Sequence, residues 1–141
     1  IILTLALLVT SILTAQTVKD TINIKAQSIT VTINNASSDK GTINYGLYNK
    51  ATFMKAAPIF SEVGKIEKGK STIVFKNVPP GEYAIICFHD ENSNKQMDFQ
   101  ENGMPFESYG VSNNSLNYGP PNYESAKFEL KDKDLILEIK F

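Results

Sequence analysis

The residues best placed to do chemistry form one acidic, Asn-rich run. Within 90–101, oxygen-bearing side chains fall at loop positions 1, 3, 5, 9 and 12, which are Asp90, Asn92, Asn94, Asp98 and Glu101. Gln96 fills the seventh place, where only a main-chain carbonyl is needed. This is the ligand rhythm of a calcium loop. Ca²⁺ takes roughly six to eight hard oxygens, and alternate residues of a tightly curled loop can all turn inward to supply them. The expected cofactor is therefore Ca²⁺ in a structural role, held by Asp90, Asn92, Asn94, Gln96, Asp98 and Glu101. Lys95 departs from the pattern, because it stands where Gly would make the sharp turn. With few carboxylates the expected affinity is modest, as in extracellular modules. The competing account of the same residues is a metal-free turn cluster, since Asn and Asp favour turns for their own reasons.

Other chemistries find little support. His89 is the single His and Cys87 the single Cys. The two share one face of an apolar strand, with Cys87 deeper, whereas a nucleophilic thiol must be accessible and activated. One His and one Cys are too few for a zinc site. Two of Asp98, Glu101 and Glu107 could form a glycosidase pair, but a metal loop already explains these acidic residues and a small sandwich without a deep cleft is a poor host. No Gly-x-Ser-x-Gly elbow and no phosphate-binding Gly loop occurs. The chain is thus expected not to be an enzyme. All fourteen basic residues are Lys, Arg and Trp are absent, and the formal net charge is −1 at pH 7. That composition argues against nucleic acid as a partner.

The elements that must position the loop are strands. Apolar alternation predicts strands over 21–34, 42–48, 70–78, 82–89, 125–130 and 135–141. A change of phase in the first of these predicts a bulge near Gln27-Ser28. Residues 49–64 read as a loop with a short helical turn and one more strand. Pro79-Pro80-Gly81 forces a turn, and Lys131-Asp132-Lys133-Asp134 reads as a hairpin-like turn. The segment 82–89 is apolar on both faces, which marks a central strand covered on both sides. It delivers the chain into the 90–101 loop. The long stretch 90–124 holds Phe106, Tyr109, Tyr118 and Tyr123, expected mainly to pack back onto the domain, with a carbohydrate- or protein-binding surface as the alternative. About seven short strands with little helix imply an all-β fold, an antiparallel β-sandwich with one long loop region.

The first fifteen residues, 1–15, are uncharged and apolar. They are too short to span a bilayer as a helix and fit a cleavable signal peptide, leaving 16–141 as a single domain. No transmembrane segment is expected in that mature part.

Several spaced blocks sharpen this reading. They are Pro80-Gly81-Glu82-Tyr83-Ala84-Ile85, then His89-Asp90 with Asn92, Asn94 and Asp98. Next come Gly103, Pro105, Glu107, Gly110 and Ser112, and finally Gly119-Pro120-Pro121 with Tyr123, Ala126 and Phe128. In this order they resemble the DUF2141 family, small exported proteins of Bacteroidetes-type bacteria. The resemblance covers the mature chain and is densest over 81–128. It implies export and an Ig-like or prealbumin-like sandwich, and it implies no activity. The expectation is an exported, non-enzymatic binding or assembly module, periplasmic, outer-membrane-associated or extracellular, whose partner is an envelope protein or a glycan. The alternatives within that class are a carbohydrate-binding module and an accessory subunit of an outer-membrane complex.

Overall fold

The computed structural model describes residues 25–115 and 119–141. The expected signal segment, the start of the first expected strand and Tyr118 lie outside the described residues. Among the described residues, eight strands build an all-β sandwich: β1 (Gln27–Ile33), β2 (Thr42–Tyr48), β3 (Phe60–Gly64), β4 (Ser71–Val78), β5 (Gly81–Asp90), β6 (Tyr109–Val111), β7 (Phe128–Leu130) and β8 (Leu135–Ile139). One sheet has the order β4-β1-β8 and the other β3-β2-β5-β6, with β7 also on β5. All pairings are antiparallel except β1 with β8, which is parallel. The bulge expected near Gln27-Ser28 is present as a register shift between Gln27 and Ile29 against β4.

The inner faces interdigitate in one core. Ile29, Val31 and Ile33 of β1 and Ile43, Tyr45 and Leu47 of β2 meet Ile85 and Cys87 of β5, Phe75 of β4 and Ile139 of β8. The period of two along each strand puts these side chains on the buried face, and burial of each large one stabilises the fold by about 1.5–3 kcal/mol.

The strand β5 is central, as its two apolar faces require. It pairs with β2 along one edge, and along the other with β6 over Ile86–Phe88 and β7 over Gly81–Tyr83. Its outer face carries a second, smaller cluster of Phe53, Ala84, Val111 and Ala126, with Tyr48 and Tyr123 packed against it. Phe53 arrives on the helical turn expected within 49–64. The Asn49 side chain starts that turn by accepting from the main-chain N–H of Ala51 and Thr52, both at 3.0 Å.

Two expected elements are corrected. The predicted strand over 125–130 begins instead as a helical turn, α1 (Tyr123–Ala126), and only then becomes β7. Asn122 caps the turn by accepting from the Glu124 N–H at 2.8 Å, a local bond that outcompetes the weak alternation of Ala126 with Phe128. Residues 131–134 do not close a hairpin, because β7 lies in one sheet and β8 in the other. The exposed connection passes from one sheet to the other.

Ser112 shows how tightly the cross-links are set. Fully buried, its hydroxyl accepts from the Ile85 N–H at 2.9 Å and donates to the Ala126 carbonyl at 2.5 Å. Ser112→Ala leaves both groups without partners inside the protein. It is expected to cost roughly 2–4 kcal/mol in urea denaturation, with the m-value unchanged.

Candidate functional site: the cap over the end of β5

The last residue of β5, Asp90, stands opposite Thr42 of β2 and is completely buried. It shares the outer face of the sheet with Phe88, while His89 points to the inner face. The chain then folds over the sheet end as a cap of residues 91–108. Three donors hold the Asp90 carboxylate. Its Oδ1 accepts from the Asn94 N–H at 3.0 Å, and its Oδ2 accepts from the Lys95 N–H at 2.8 Å and from Asn44 Nδ2 at 3.1 Å. The first carboxylate of the loop therefore ties down the main chain at loop positions 5 and 6. Lys95 takes the left-handed conformation, φ 65°, and Ser93 does so as well, φ 60°. The conformation that normally calls for Gly is present despite the Lys side chain.

Asn92, Asn94 and Asp98 gather around Asp90. The Asn92 Oδ1 accepts from the Asn94 N–H at 3.0 Å, and the Asn94 Oδ1 accepts from the Gln96 N–H at 2.9 Å. Both side-chain amides donate to Asp98, Asn92 at 2.7 Å and Asn94 at 2.9 and 3.0 Å. Five of the six expected residues thus belong to one local network. Glu101 does not. The chain leaves the loop as a short hairpin in which Phe106 N–H donates to the Asp98 carbonyl and Gln100 N–H to that of Met104, both at 2.8 Å. Glu101 lies on the exposed turn of that hairpin, carried away from Asp98.

The carboxylate that the folded hairpin does bring back is Glu107. Its Oε2 accepts from the Asp98 N–H at 3.3 Å, and its Oε1 is buried with no hydrogen-bond partner. Burial pushes the Glu107 carboxyl up, the Asp98 and Glu91 N–H groups counter this in part, and the charges of Asp90 and Asp98 push it further. Among the described residues no three His, Cys, Asp or Glu side chains are gathered closely enough to hold a metal ion. A cation at this cap would therefore take Asn side-chain oxygens and main-chain carbonyls alongside its carboxylates, with the Asn amides turned over.

The flank of the cap belongs to His89 and Glu91. Glu91 accepts from the hydroxyls of Ser37 at 3.1 Å and Ser38 at 3.3 Å. His89 is 1 % exposed, stacks on Phe141 with centroids 6.3 Å apart, and has its Nε2 2.8 Å from the Lys40 carbonyl. A carbonyl can only accept, so Nε2 is the donor in that contact. Cys87 is fully buried beneath it, and burial pushes its thiol far above the ordinary range.

Of the loop aromatics, Tyr109 lies half-buried in β6. Tyr123 packs edge-on to Phe53 at 5.5 Å and donates its hydroxyl to the Glu82 carbonyl at 3.2 Å. Phe106 does not pack back, and stays 70 % exposed. Together, Ser37, Glu91, Asp98, Phe99, Phe106 and Glu107, with Asn92 and Ser108, line an open groove of about 600 Å³.

The molecule is therefore a β-sandwich with an acidic, aromatic-rimmed loop cap at the end of its central strand. The chain belongs to the family described as an uncharacterized protein conserved in bacteria (DUF2141), which it matches over residues 31–138. That span runs from β1 to β8 and includes the whole cap. No curated protein and no solved structure matches it. Among the described residues no helix is long and apolar enough to cross a membrane.

Proposed function

We propose that this is an exported, non-catalytic binding module of the bacterial cell envelope, whose presenting surface is a loop cap organised by Ca²⁺. The observation that carries the reading is the gathering of Asp90, Asp98 and Glu107, with no cationic side chain paired to any of them among the described residues. The charges of Asp90 and Asp98 both bear on Glu107, whose Oε1 is buried without a hydrogen-bond partner. Buried charge of one sign is costly unless a counter-charge or a proton arrives. Ca²⁺ supplies the counter-charge, with Asp90, Asn92, Asn94, Asp98 and the Gln96 carbonyl as its natural donors and Glu107 in the place expected of Glu101. The Asp90 bonds to the main chain of residues 94 and 95 curl the loop for this, and the left-handed Lys95 removes the geometric objection to a non-Gly residue there. Fixing the cap, rather than polarising a substrate, is the role such an ion would have. The enclosure of Cys87 and His89 supports the non-catalytic side of the reading, since neither presents a nucleophile or a base at the surface. Export rests on the apolar opening segment and on the family's implied location.

Glu107 gives the reading a pH signature. Its carboxyl is raised in the folded chain. Between the ordinary glutamate value and the raised one, the folded chain holds a proton that the unfolded chain has released, so stability falls as pH rises through that window. In chelator-treated protein, Glu107→Gln is expected to raise the melting temperature at neutral pH and to flatten its decline from acid to neutral pH. The same substitution should shrink the rise in melting temperature that millimolar Ca²⁺ gives the unsubstituted protein. An equal Ca²⁺ increment in both proteins would remove Glu107 from the site. The absence of any Ca²⁺ increment would remove the ion.

A further inference from the structure

Calcium accounts for the floor of the cap and leaves its rim unexplained. Phe99, Met104 and Phe106 are 58 %, 60 % and 70 % exposed, all on the one short hairpin. They are held there by built geometry. Phe99 bridges Pro105, the Phe106 N–H donates to the Asp98 carbonyl, and the Gly103 N–H closes the turn on the Gln100 carbonyl at 2.8 Å. Large exposed apolar side chains grouped in this way mark contact surfaces. Phe99 and Phe106 edge the groove whose other walls carry the Glu91, Asp98 and Glu107 carboxylates, and no Lys lines it.

We propose that this groove takes a basic side chain, Lys or Arg, on a partner protein segment that also carries apolar residues. The inference rests on the reading of the cap as the binding face and names what it binds. An aromatic face beside carboxylates attracts a cation twice, through the ring quadrupole and through charge. A bound Ca²⁺ offsets two of the three negative charges of Asp90, Asp98 and Glu107, so one net charge remains at the floor and Glu91 faces the ligand beside it. Glu91 is already oriented by Ser37 and Ser38. Apolar neighbours of the basic residue would cover Phe99 and Met104. An anionic lipid surface fits less well, because Glu101 sits on the turn that would have to approach the headgroups. A neutral glycan would bury carboxylates without a counter-charge.

The test uses a labelled, end-blocked peptide of alternating Lys and Leu, titrated with the full Ca²⁺-loaded protein and followed by fluorescence anisotropy. Saturable binding is expected at about 10–500 µM, as a small and partly wet contact supports, weakening as salt is added. Phe106→Ala should weaken it at least about fivefold and Glu91→Gln about threefold. Neither substitution should change the calorimetric heat of Ca²⁺ binding, because neither residue is among the proposed ion ligands. Several results would overturn the inference. They are equal binding of the matching Glu–Leu peptide, an unchanged affinity for Phe106→Ala, or Phe106-dependent capture of phosphatidylglycerol vesicles or chito-oligosaccharide with no capture of the peptide. Peptide binding that persists in protein showing no Ca²⁺ heat would support the groove and sink only the calcium reading.

Discussion

Asp90→Ala is expected to destabilise the protein by roughly 2–4 kcal/mol and to abolish its response to Ca²⁺. The carboxylate is fully buried and accepts three hydrogen bonds, from Asn44 Nδ2 and from the Asn94 and Lys95 N–H groups. Bonds to a charged acceptor are worth about 1.5–3 kcal/mol each, and the main-chain donors near the surface can recover part of that from water. Asn44 recovers less, because it lies on β2 beneath the cap. The loss should appear as a fall in melting temperature of about 10 °C, measurable by circular dichroism. A structural hydrogen-bond role alone predicts the fall in stability. The loss of the Ca²⁺ response is the part that the ion-binding role adds. Asp98→Asn separates the two, since Asp98 is only partly buried and its removal should reduce the Ca²⁺ response with little cost to the chelator-treated protein.

Gly41→Ala should cost more than about 3 kcal/mol, although the substitution adds a single methyl group. Gly41 has φ +68°, and an added Cβ would lie 1.9 Å from the Asp90 carbonyl oxygen and 2.8 Å from the Glu91 Cα. The left-handed backbone alone costs a non-Gly residue about 1–2 kcal/mol. The larger share comes from prising the end of β5 away from β2, since the atoms in the way are backbone and cannot rotate aside. Gly103→Ala is the control. Its φ is +80°, yet nothing lies within 4 Å of the added Cβ, so only the conformational cost applies. Gly41→Ala should also weaken Ca²⁺ binding, because the added Cβ displaces Asp90, a proposed ligand. Equal stability losses for the two glycine variants in urea denaturation would contradict the close packing of Gly41 on the root of the cap.

Much of the scaffold was legible because burial imposes a period of two. The pattern Ile43, Tyr45, Leu47 located β2, and the two apolar faces of β5 announced a strand covered on both sides, which Phe53, Val111 and Ala126 supply. The three residues of β6, Tyr-Gly-Val, carry no periodic signal, and only pairing with β5 makes them a strand. Ala126 alternates with Phe128 just as a strand would, so the Asn122 cap that turns that stretch into α1 was hidden. At the cap, Asp90, Asn92, Asn94 and Asp98 stand in one hydrogen-bonded cluster, because they are close in sequence and meet through local turns. Glu101 stands outside that cluster, because a twelve-residue loop leads into a helix in the usual case, whereas this chain leaves Asp98 as a hairpin. The hairpin exchanges Glu101 for Glu107. No local pattern foretells that exchange, since it depends on the pairing of Phe99 with Pro105. Phe106 was taken with the other loop aromatics as packing material, and its exposure follows from its place at the groove edge.

Whether one calcium ion organises the cap is decided by calorimetry of the chelator-treated protein with Ca²⁺, paired with amide chemical-shift mapping. One binding event is expected, with a dissociation constant on the order of 10⁻⁴–10⁻³ M. Shift changes should concentrate on residues 90–98 and on Glu107, with Glu101 unaffected. No heat at millimolar Ca²⁺, or shifts centred away from Asp90 and Asp98, would contradict a calcium-organised cap.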